Sequence, residues 1–98
     1  TCLNILDVMY EELLALLSLH LAQICLDQVC KSLGSTKRNL LPGDSIYIIR
    51  RSKVPVALVE VGFMTNYEEL DQLNDAAYQK KAAKGIYQAI KQAFEEGY

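Results

Sequence analysis

The sequence predicts an α/β fold in which a long N-terminal helix precedes two strands and two C-terminal helices. Three observations predict this class: a helical repeat of apolar residues up to Gly34, two β-branched runs in the middle of the chain, and a second helical repeat near the C-terminus. The 98 residues suffice for one small domain. Half of them are hydrophobic, which argues against disorder.

The first element is a helix expected over residues 3–33. Its later part has an apolar stripe at helical spacing, formed by Ala22, Cys25, Leu26, Val29 and Leu33. Gly34 is typical of the residue that follows a helix end. From Leu3 to Leu21 the helix is apolar nearly all round, so either the domain or another chain has to cover it. We therefore expect a homo-oligomer.

The middle of the chain is expected to form a loop and two strands. Residues 34–44 read as loop, with a turn at Pro42-Gly43. The strands are expected at Ser45–Arg50 and Val56–Val61. About five residues separate them, too few for a parallel crossover, so the strands are antiparallel if they are adjacent. Because two strands make a poor sheet, this is a partial layer that other chain segments or an oligomer complete.

The C-terminal part is expected to form two helices. The first covers Tyr67–Leu73, with Thr65 or Asn66 as its cap. The second runs from Asp75 to about Glu95, with Asn74 as its cap. The buried stripe of this second helix is predicted to comprise Tyr78, Ala82, Ile86, Ile90, Ala93 and Phe94.

Composition excludes several classes of protein. The net charge is −2, and the short basic segments Lys37-Arg38 and Arg50–Lys53 read as solvated loops, so no nucleic-acid partner is expected. The apolar stretch Leu13–Leu26 is too short to span a bilayer, and the start lacks a basic signal-peptide region. Three cysteines argue against a disulfide framework and read as small buried hydrophobes. A reducing cytoplasm and secretion without disulfides both fit.

Glu60 is the residue that the strand pattern does not explain. The run Val56–Val61 is apolar on both faces, and a lone buried carboxylate costs several kcal/mol unless it is paired. Glu60 also lies at the C-terminal end of the predicted strand, where α/β sheets place their sites. Two explanations remain open: a functional carboxylate, or one neutralised by backbone N–H groups or by one of the cations Arg50, Arg51 and Lys53.

A family resemblance favours the functional explanation. The segment 52–90 contains VPVALVEVGFMTN, and it resembles the C-terminal part of the zinc-dependent N-acetylmuramoyl-L-alanine amidases of the amidase type 3 family, which carry VPxxLVExGFxxN. The likeness covers about residues 18–94, which implies that residues 1–98 are a fragment of a larger amidase domain. It implies that Glu60 is catalytic in a secreted or cell-envelope hydrolase of peptidoglycan. The bond cut is the amide between the lactyl group of muramic acid and L-alanine.

The resemblance also implies a zinc ion, but the ligand set in this chain is incomplete. The family holds zinc with two histidines and a glutamate from the earlier half of its domain, whereas His20 is the single histidine here and lies outside those motifs. An improvised site would combine His20 with Glu11, Glu12 or Glu60, so the metal ligands stay unassigned. We expect this chain alone to hydrolyse poorly or not at all.

Two functional hypotheses follow. The first is the amidase, in which Arg50 and Arg51 either bind an acidic stem peptide or neutralise Glu60. The second is a non-catalytic truncated α/β module that self-associates through its apolar N-terminal helix. Stoichiometric zinc in the purified protein favours the first hypothesis. A stable metal-free dimer or larger assembly favours the second.

Overall fold

A computed structural model describes residues 2–35, 40–41, 43 and 45–97, with side chains from residue 11 onward. These residues form four helices: α1 (Cys2–Leu33), α2 (Tyr47–Arg51), α3 (Tyr67–Leu73) and α4 (Ala76–Glu95). Within these ranges there is no β-strand, so the prediction of an α/β fold with two strands is wrong. Lys37, Arg38 and Pro42 of the predicted loop lie outside the described residues.

The long N-terminal helix and its stop signal are confirmed. α1 ends at Leu33, and Gly34 follows with a φ of 67°, in the left-handed region that favours glycine. This conformation turns the chain back so that the Ser35 N–H donates to the Cys30 carbonyl at 3.1 Å. A carbonyl of the last turn therefore has a partner although the helix has stopped.

α1 and α4 pack as an antiparallel pair. Ser32, near the end of α1, donates its hydroxyl to the Lys81 carbonyl at 2.6 Å, whereas His20 meets Glu96 beyond the end of α4. The buried hydrophobic residues between them are Ile24, Val29, Ala82, Ala89 and Ala93. Burying a side chain such as Ile24 stabilises the fold by about 1.5–3 kcal/mol.

The face that α4 turns toward α1 consists of small residues. Gly85 is buried, and a Cβ built on it would lie 2.7 Å from the Val29 Cα, so the two helix backbones approach closely here. Ala82 and Ala93 of the predicted stripe are buried as expected. Ile90 and Phe94 are not, with 50% and 71% of their surface exposed. The stripe is displaced because this close approach leaves room for glycine and alanine but not for larger side chains.

The first predicted strand is a short helix instead. α2 covers Tyr47–Arg51, and the Arg50 N–H donates to the Ile46 carbonyl at 2.9 Å. Ile46 and Ile48 are exposed, although β-branched composition predicted a strand. β-propensity expresses packing on a pleated surface with neighbouring strands, and none is present in the described part of the chain. Local helical hydrogen bonds form instead.

The second predicted strand, Val56–Val61, has no regular secondary structure. Within the described ranges, no hydrogen bond uses the backbone of Ala57 through Glu60. A strand satisfies its backbone groups only through a neighbour, unlike a helix, which does so within itself. The sequence pattern favours a strand, but a partner to pair with is missing from the residues that the structure covers.

The two C-terminal helices are confirmed, and their caps are specific. The Asn66 side chain accepts from the Glu69 N–H at 3.2 Å and begins α3. The cap of α4 is Asp75, not the predicted Asn74, and its carboxylate accepts from the Tyr78 N–H at 3.0 Å. Each such cap stabilises its helix by roughly 1 kcal/mol. Asn74 instead follows the end of α3, with its own N–H bonded to the Leu70 carbonyl.

The middle of α1, residues 13–19, exposes several leucines. Leu13, Leu16 and Leu19 are each more than half exposed. The region Glu11–Leu33 is long and apolar enough to cross a membrane by length and composition alone. Soluble core helices and signal sequences pass the same test, and Ile24, Val29 and Ser32 of this region contact or pack toward α4. The absence of a membrane span stays a prediction.

Candidate functional site

Two hydrogen bonds hold the segment that carries Glu60 against the helix pair. At its start, the Val56 N–H donates to the Ser18 hydroxyl of α1 at 3.0 Å. At its end, the Tyr78 hydroxyl of α4 donates to the Val61 carbonyl at 3.0 Å. Glu60 directly precedes this second anchor. The segment therefore bridges α1 and the first turn of α4, and Glu60 has a position defined by both.

The segment keeps the two-residue alternation that its sequence predicts. Ala57, Val59 and Val61 are half-buried, whereas Leu58 and Glu60 between them are exposed. Successive side chains therefore point to opposite sides although no sheet is formed. The prediction that both sides are covered is wrong, because the Leu58–Glu60 side is open to solvent.

The Glu60 carboxylate is exposed, so it carries no burial cost of the kind expected for a core strand. Within the described part of the chain, neither an ion pair nor a hydrogen bond holds its side chain. The explanation by a neutralising cation is therefore unsupported. A carboxylate in this environment is available to a ligand or to a reacting water molecule.

The chain behind Glu60 turns sharply into α3. The Asn66 N–H donates to the Phe63 carbonyl at 3.2 Å, and Asn66 then caps the helix. A Cβ on Gly62 would make ordinary contact, 3.4 Å, with the Leu73 side chain, so α3 packs behind this glycine. Phe63 and Met64 are exposed at the turn. Two exposed apolar side chains therefore follow Glu60 closely in the chain.

The structure places Arg50 and Arg51 together on α2, around one aromatic ring. Their Cζ atoms lie 5.8 and 5.9 Å from the centroid of the Tyr47 ring, within cation–π range. Among the described residues, α2 has no packing contact with another helix. Among the residues that the structure describes, no ion pair or hydrogen bond joins the two arginines to Glu60, and their role in substrate binding stays a prediction.

The residues named for an improvised metal site, His20 with Glu11, Glu12 or Glu60, do not form a metal-binding group among the residues that the structure describes. His20 is 57% exposed, and its Nε2 lies 3.0 Å from Glu96 Oε2, on the far end of α4. The Gln92 amide donates to the other carboxylate oxygen at 3.3 Å. These hydrogen bonds, first from Gln92 and then from His20, lower the pKa of Glu96. Within the residues that the structure covers, no three histidine, cysteine, aspartate or glutamate side chains form a metal-binding group.

The cysteines do not supply the missing metal ligands. Cys25 packs against the core formed by Ile24, Ala89 and Ala93, and burial raises the pKa of its thiol. Zinc binds the thiolate, so a thiol held protonated is a poor ligand. Cys25 and Cys30 are half-buried, less than predicted, and the Cys2 side chain lies outside the described residues. These residues do not fit the zinc that the resemblance implies.

Sequence patterns do not identify Ser18 as a residue that shapes this site, and they place Tyr78 in the packing stripe of α4. Ser18 lies in an apolar helix 38 positions from its partner Val56, and Tyr78 lies 17 positions from Val61. A local sequence pattern does not predict hydrogen bonds between residues that are so far apart in the chain. A lone serine among leucines is the single signal that draws attention to Ser18.

The anchored segment with its exposed carboxylate is the part of the chain that carries the pattern VPxxLVExGFxxN. The chain belongs to the amidase type 3 family, described as N-acetylmuramoyl-L-alanine amidase, whose pattern matches residues 8–92. The match extends further toward the N-terminus than the expected residues 18–94.

Three curated relatives are similar to the chain over most of its length, and two of them are named as amidases. The chain is 34% identical over 79 residues to the uncharacterized protein YqiI of Bacillus subtilis. This alignment covers 81% of the chain and 38% of the relative. It is 36% identical over 70 residues to the germination-specific N-acetylmuramoyl-L-alanine amidase of the same organism, covering 71% of the chain and 30% of the relative. It is 34% identical over 70 residues to the N-acetylmuramoyl-L-alanine amidase LytC of Bacillus subtilis, an alignment that covers 71% of the chain and 14% of the relative.

The chain thus spans between 14% and 38% of the length of these relatives. No solved structure matches it significantly.

Proposed function

We propose that this chain is the Glu60-bearing part of a peptidoglycan hydrolase that acts as an N-acetylmuramoyl-L-alanine amidase. The bond cut is the amide between the muramic acid lactyl group and L-alanine, and the place of action is the cell envelope or the secreted fraction. The observation that carries the proposal is the family match over residues 8–92, which includes the segment that holds Glu60. The chain is then a fragment of a larger amidase domain.

The position of Glu60 supports a role in proton transfer. Its carboxylate is exposed, and the neighbouring Val61 carbonyl is fixed by the Tyr78 hydroxyl. A carboxylate beside the scissile amide takes a proton from the attacking water and passes it to the leaving amine. Such a group contributes about 10²–10⁴-fold to a rate. The open side of the segment leaves room for both the water and a glycopeptide.

A chimera tests the proposal. The matching segment of the germination-specific amidase of Bacillus subtilis is replaced by this chain, and hydrolysis of purified muropeptides is followed by mass spectrometry. We expect release of stem peptides with a free L-alanine amine. Glu60→Gln in the chimera is expected to lower the rate by about 10²–10⁴-fold, because the glutamine amide cannot accept the proton.

The matched control is Glu68→Gln, which removes an exposed carboxylate from the first turn of α3. It is expected to retain most of the activity. A folded chimera that cleaves equally well with Glu60→Gln contradicts the role of Glu60. A folded chimera that cleaves a different bond contradicts the proposed specificity.

A second candidate function is self-association without catalysis. The observation that favours it is the apolar surface of α1, where Leu13, Leu16 and Leu19 are exposed. Light scattering during size-exclusion chromatography tests it: a dimer or larger assembly is expected for the wild type and a monomer for Leu16→Glu. A monodisperse wild-type monomer at high concentration is incompatible with this candidate.

A further inference from the structure

We infer that Tyr78 is a positioning residue for Glu60: its hydroxyl holds the Val61 carbonyl and thereby fixes the side of the segment on which the neighbouring carboxylate projects. The inference rests on the proposed amidase function and adds a residue of α4 to the site. Tyr78 lies beyond the VPVALVEVGFMTN segment, and its role follows from a contact across 17 positions of the chain.

The first support is that the Glu60 side chain is not held directly. It is exposed, and within the described residues neither a hydrogen bond nor an ion pair reaches its carboxylate. A carboxylate that transfers a proton has to lie within hydrogen-bond reach of the group that it serves. The placement of this carboxylate therefore depends on the backbone on either side of it.

The second support is the distribution of anchors along that backbone. Before Glu60, the nearest anchor is the bond from the Val56 N–H to the Ser18 hydroxyl at 3.0 Å. After Glu60, the Tyr78 hydroxyl holds the very next residue, also at 3.0 Å. Without that hydroxyl, the backbone of residues 57–62 would have no hydrogen bond within the described part of the chain. Tyr78 is therefore the anchor that restrains Glu60 most directly.

The third support is that Tyr78 is itself well fixed. Its backbone N–H donates to the Asp75 carboxylate at 3.0 Å, as part of the cap of α4. The Gln79 side-chain amide donates to the Leu73 carbonyl at 2.8 Å and ties the first turn of α4 to the end of α3. A donor that is held by such neighbours can keep a functional group within about 0.5 Å of its working position.

The alternation of the segment turns this restraint into a direction. Val59 and Val61 are half-buried, whereas Glu60 between them is exposed. Because successive side chains of an extended chain point to opposite sides, a Val61 that is held inward keeps Glu60 directed outward. Loss of the Tyr78 hydroxyl frees the segment to rotate about its own axis, and the carboxylate then samples several directions.

A double-mutant cycle in the chimera tests the inference, at a temperature at which circular dichroism shows every variant to be folded. Tyr78→Phe is expected to lower kcat by about 5–100-fold, because a displacement of about 1 Å can cost about 10²-fold. KM is expected to stay within about 2-fold of the parent value, since substrate binding is retained. In the Glu60→Gln background, Tyr78→Phe should change kcat by less than about 2-fold, because the group that it positions is gone.

The matched control is Tyr87→Phe, which removes a hydroxyl from an exposed ring of the same helix. Three results overturn the inference. The first is a Tyr78→Phe variant with the kcat of Tyr87→Phe, and the second is a rise in KM with kcat unchanged. The third is the same loss of kcat with and without Glu60, which is the outcome for a residue that supports the fold alone.

Nitrogen-15 relaxation of the 98-residue chain provides a readout that does not depend on activity. In Tyr78→Phe, the backbone order parameters of residues 59–62 are expected to fall toward about 0.6, the range of a flexible backbone. In Tyr87→Phe they should keep the wild-type values. Unchanged order parameters in Tyr78→Phe overturn the inference, because the hydroxyl then does not hold the segment.

The cycle also separates this inference from the proposed function. Full activity of Glu60→Gln overturns the proposed role of Glu60 and leaves the relaxation result unchanged. An impaired Glu60→Gln beside a fully active Tyr78→Phe overturns the positioning role and leaves the amidase proposal standing.

Discussion

The antiparallel pair of α1 and α4 contrasts with the segment between Ser45 and Phe63. Both parts have apolar sequences, but the pair forms regular helices with a buried core, and the segment forms one short helix and an irregular stretch. Helices satisfy their backbone groups internally, so each needs a neighbour for one face alone. A strand needs a neighbour for its backbone as well. The comparison shows that this chain forms the helix pair without neighbouring strands, whereas the segment between Ser45 and Phe63 forms no strand in their absence.

The largest expected effect distinguishes the two regions directly. Ile24→Ala removes a side chain that is 3% exposed in the core, and we expect a loss of about 2–4 kcal/mol in the free energy of unfolding. Ile48→Ala on α2 removes one that is 73% exposed, and the expected change is within about 0.5 kcal/mol. Urea denaturation followed by circular dichroism measures both. Equal losses would show that the core is not where the structure puts it.

Gly85→Val tests the close approach of α1 and α4. The added Cβ would lie 2.7 Å from the Val29 Cα, so the helices have to separate. We expect a loss of about 1–3 kcal/mol in the free energy of unfolding. Valine has a higher helix propensity than glycine, so propensity does not explain such a loss. Ala83→Val, at an exposed position of α4, is the control for valine on this helix without a close neighbour and should cost about 0.5 kcal/mol. Matching losses in the two variants argue against a tight contact at Gly85.

Tyr78→Phe removes the hydroxyl that anchors the Glu60 segment to α4. Because the Val61 carbonyl loses its donor, we expect a loss of about 0.5–1.5 kcal/mol in the free energy of unfolding. Urea denaturation followed by circular dichroism measures this loss. Tyr87→Phe, with an exposed ring on α4, is the control. Equal stability of Tyr78→Phe and Tyr87→Phe would rule out the anchor.

The smallest effect concerns pH. Hydrogen bonds from Gln92 and His20 lower the pKa of Glu96 from the ordinary value of 4.5. A depressed folded-state pKa contributes stability that is present above the unfolded-state pKa and is lost as pH falls through the folded-state value. The Tm of the wild type should therefore fall more than that of Glu96→Gln between about pH 6 and about pH 3. Glu95→Gln is the control, and a parallel fall in Glu96→Gln contradicts this contribution.

Sequence patterns predicted the parts of the fold that depend on local interactions. The end of α1 before Gly34, the start of α3 after Asn66 and the extent of α4 each follow from residues within one helical turn. The α4 stripe was partly wrong, because Gly85 brings the backbones together and excludes Ile90. The exclusion of Ile90 depends on the contact between Gly85 and Val29, which lie 56 positions apart in the chain.

In the candidate site, too, local sequence features could be predicted and tertiary contacts could not. Glu60 is conspicuous because a charge interrupts an apolar run, and the family resemblance predicts a catalytic role for it. Its exposure could not be predicted, since the alternation of Val56–Val61 does not say whether the second side is covered. The anchors from Ser18 and Tyr78 depend on tertiary placement, and no sequence spacing encodes it.

The hydrogen bond from the Tyr78 hydroxyl to the Val61 carbonyl couples the position of α4 to the position of Glu60. Tyr78 lies in the first turn of α4, and the carbonyl that it holds belongs to the residue next to Glu60. A rotation or slide of α4 on α1 would move that carbonyl, and Glu60 would move with it. The small-residue contact at Gly85 restricts such motion. A change in the helix contact should thus be transmitted to the carboxylate without any substitution in the VPVALVEVGFMTN segment.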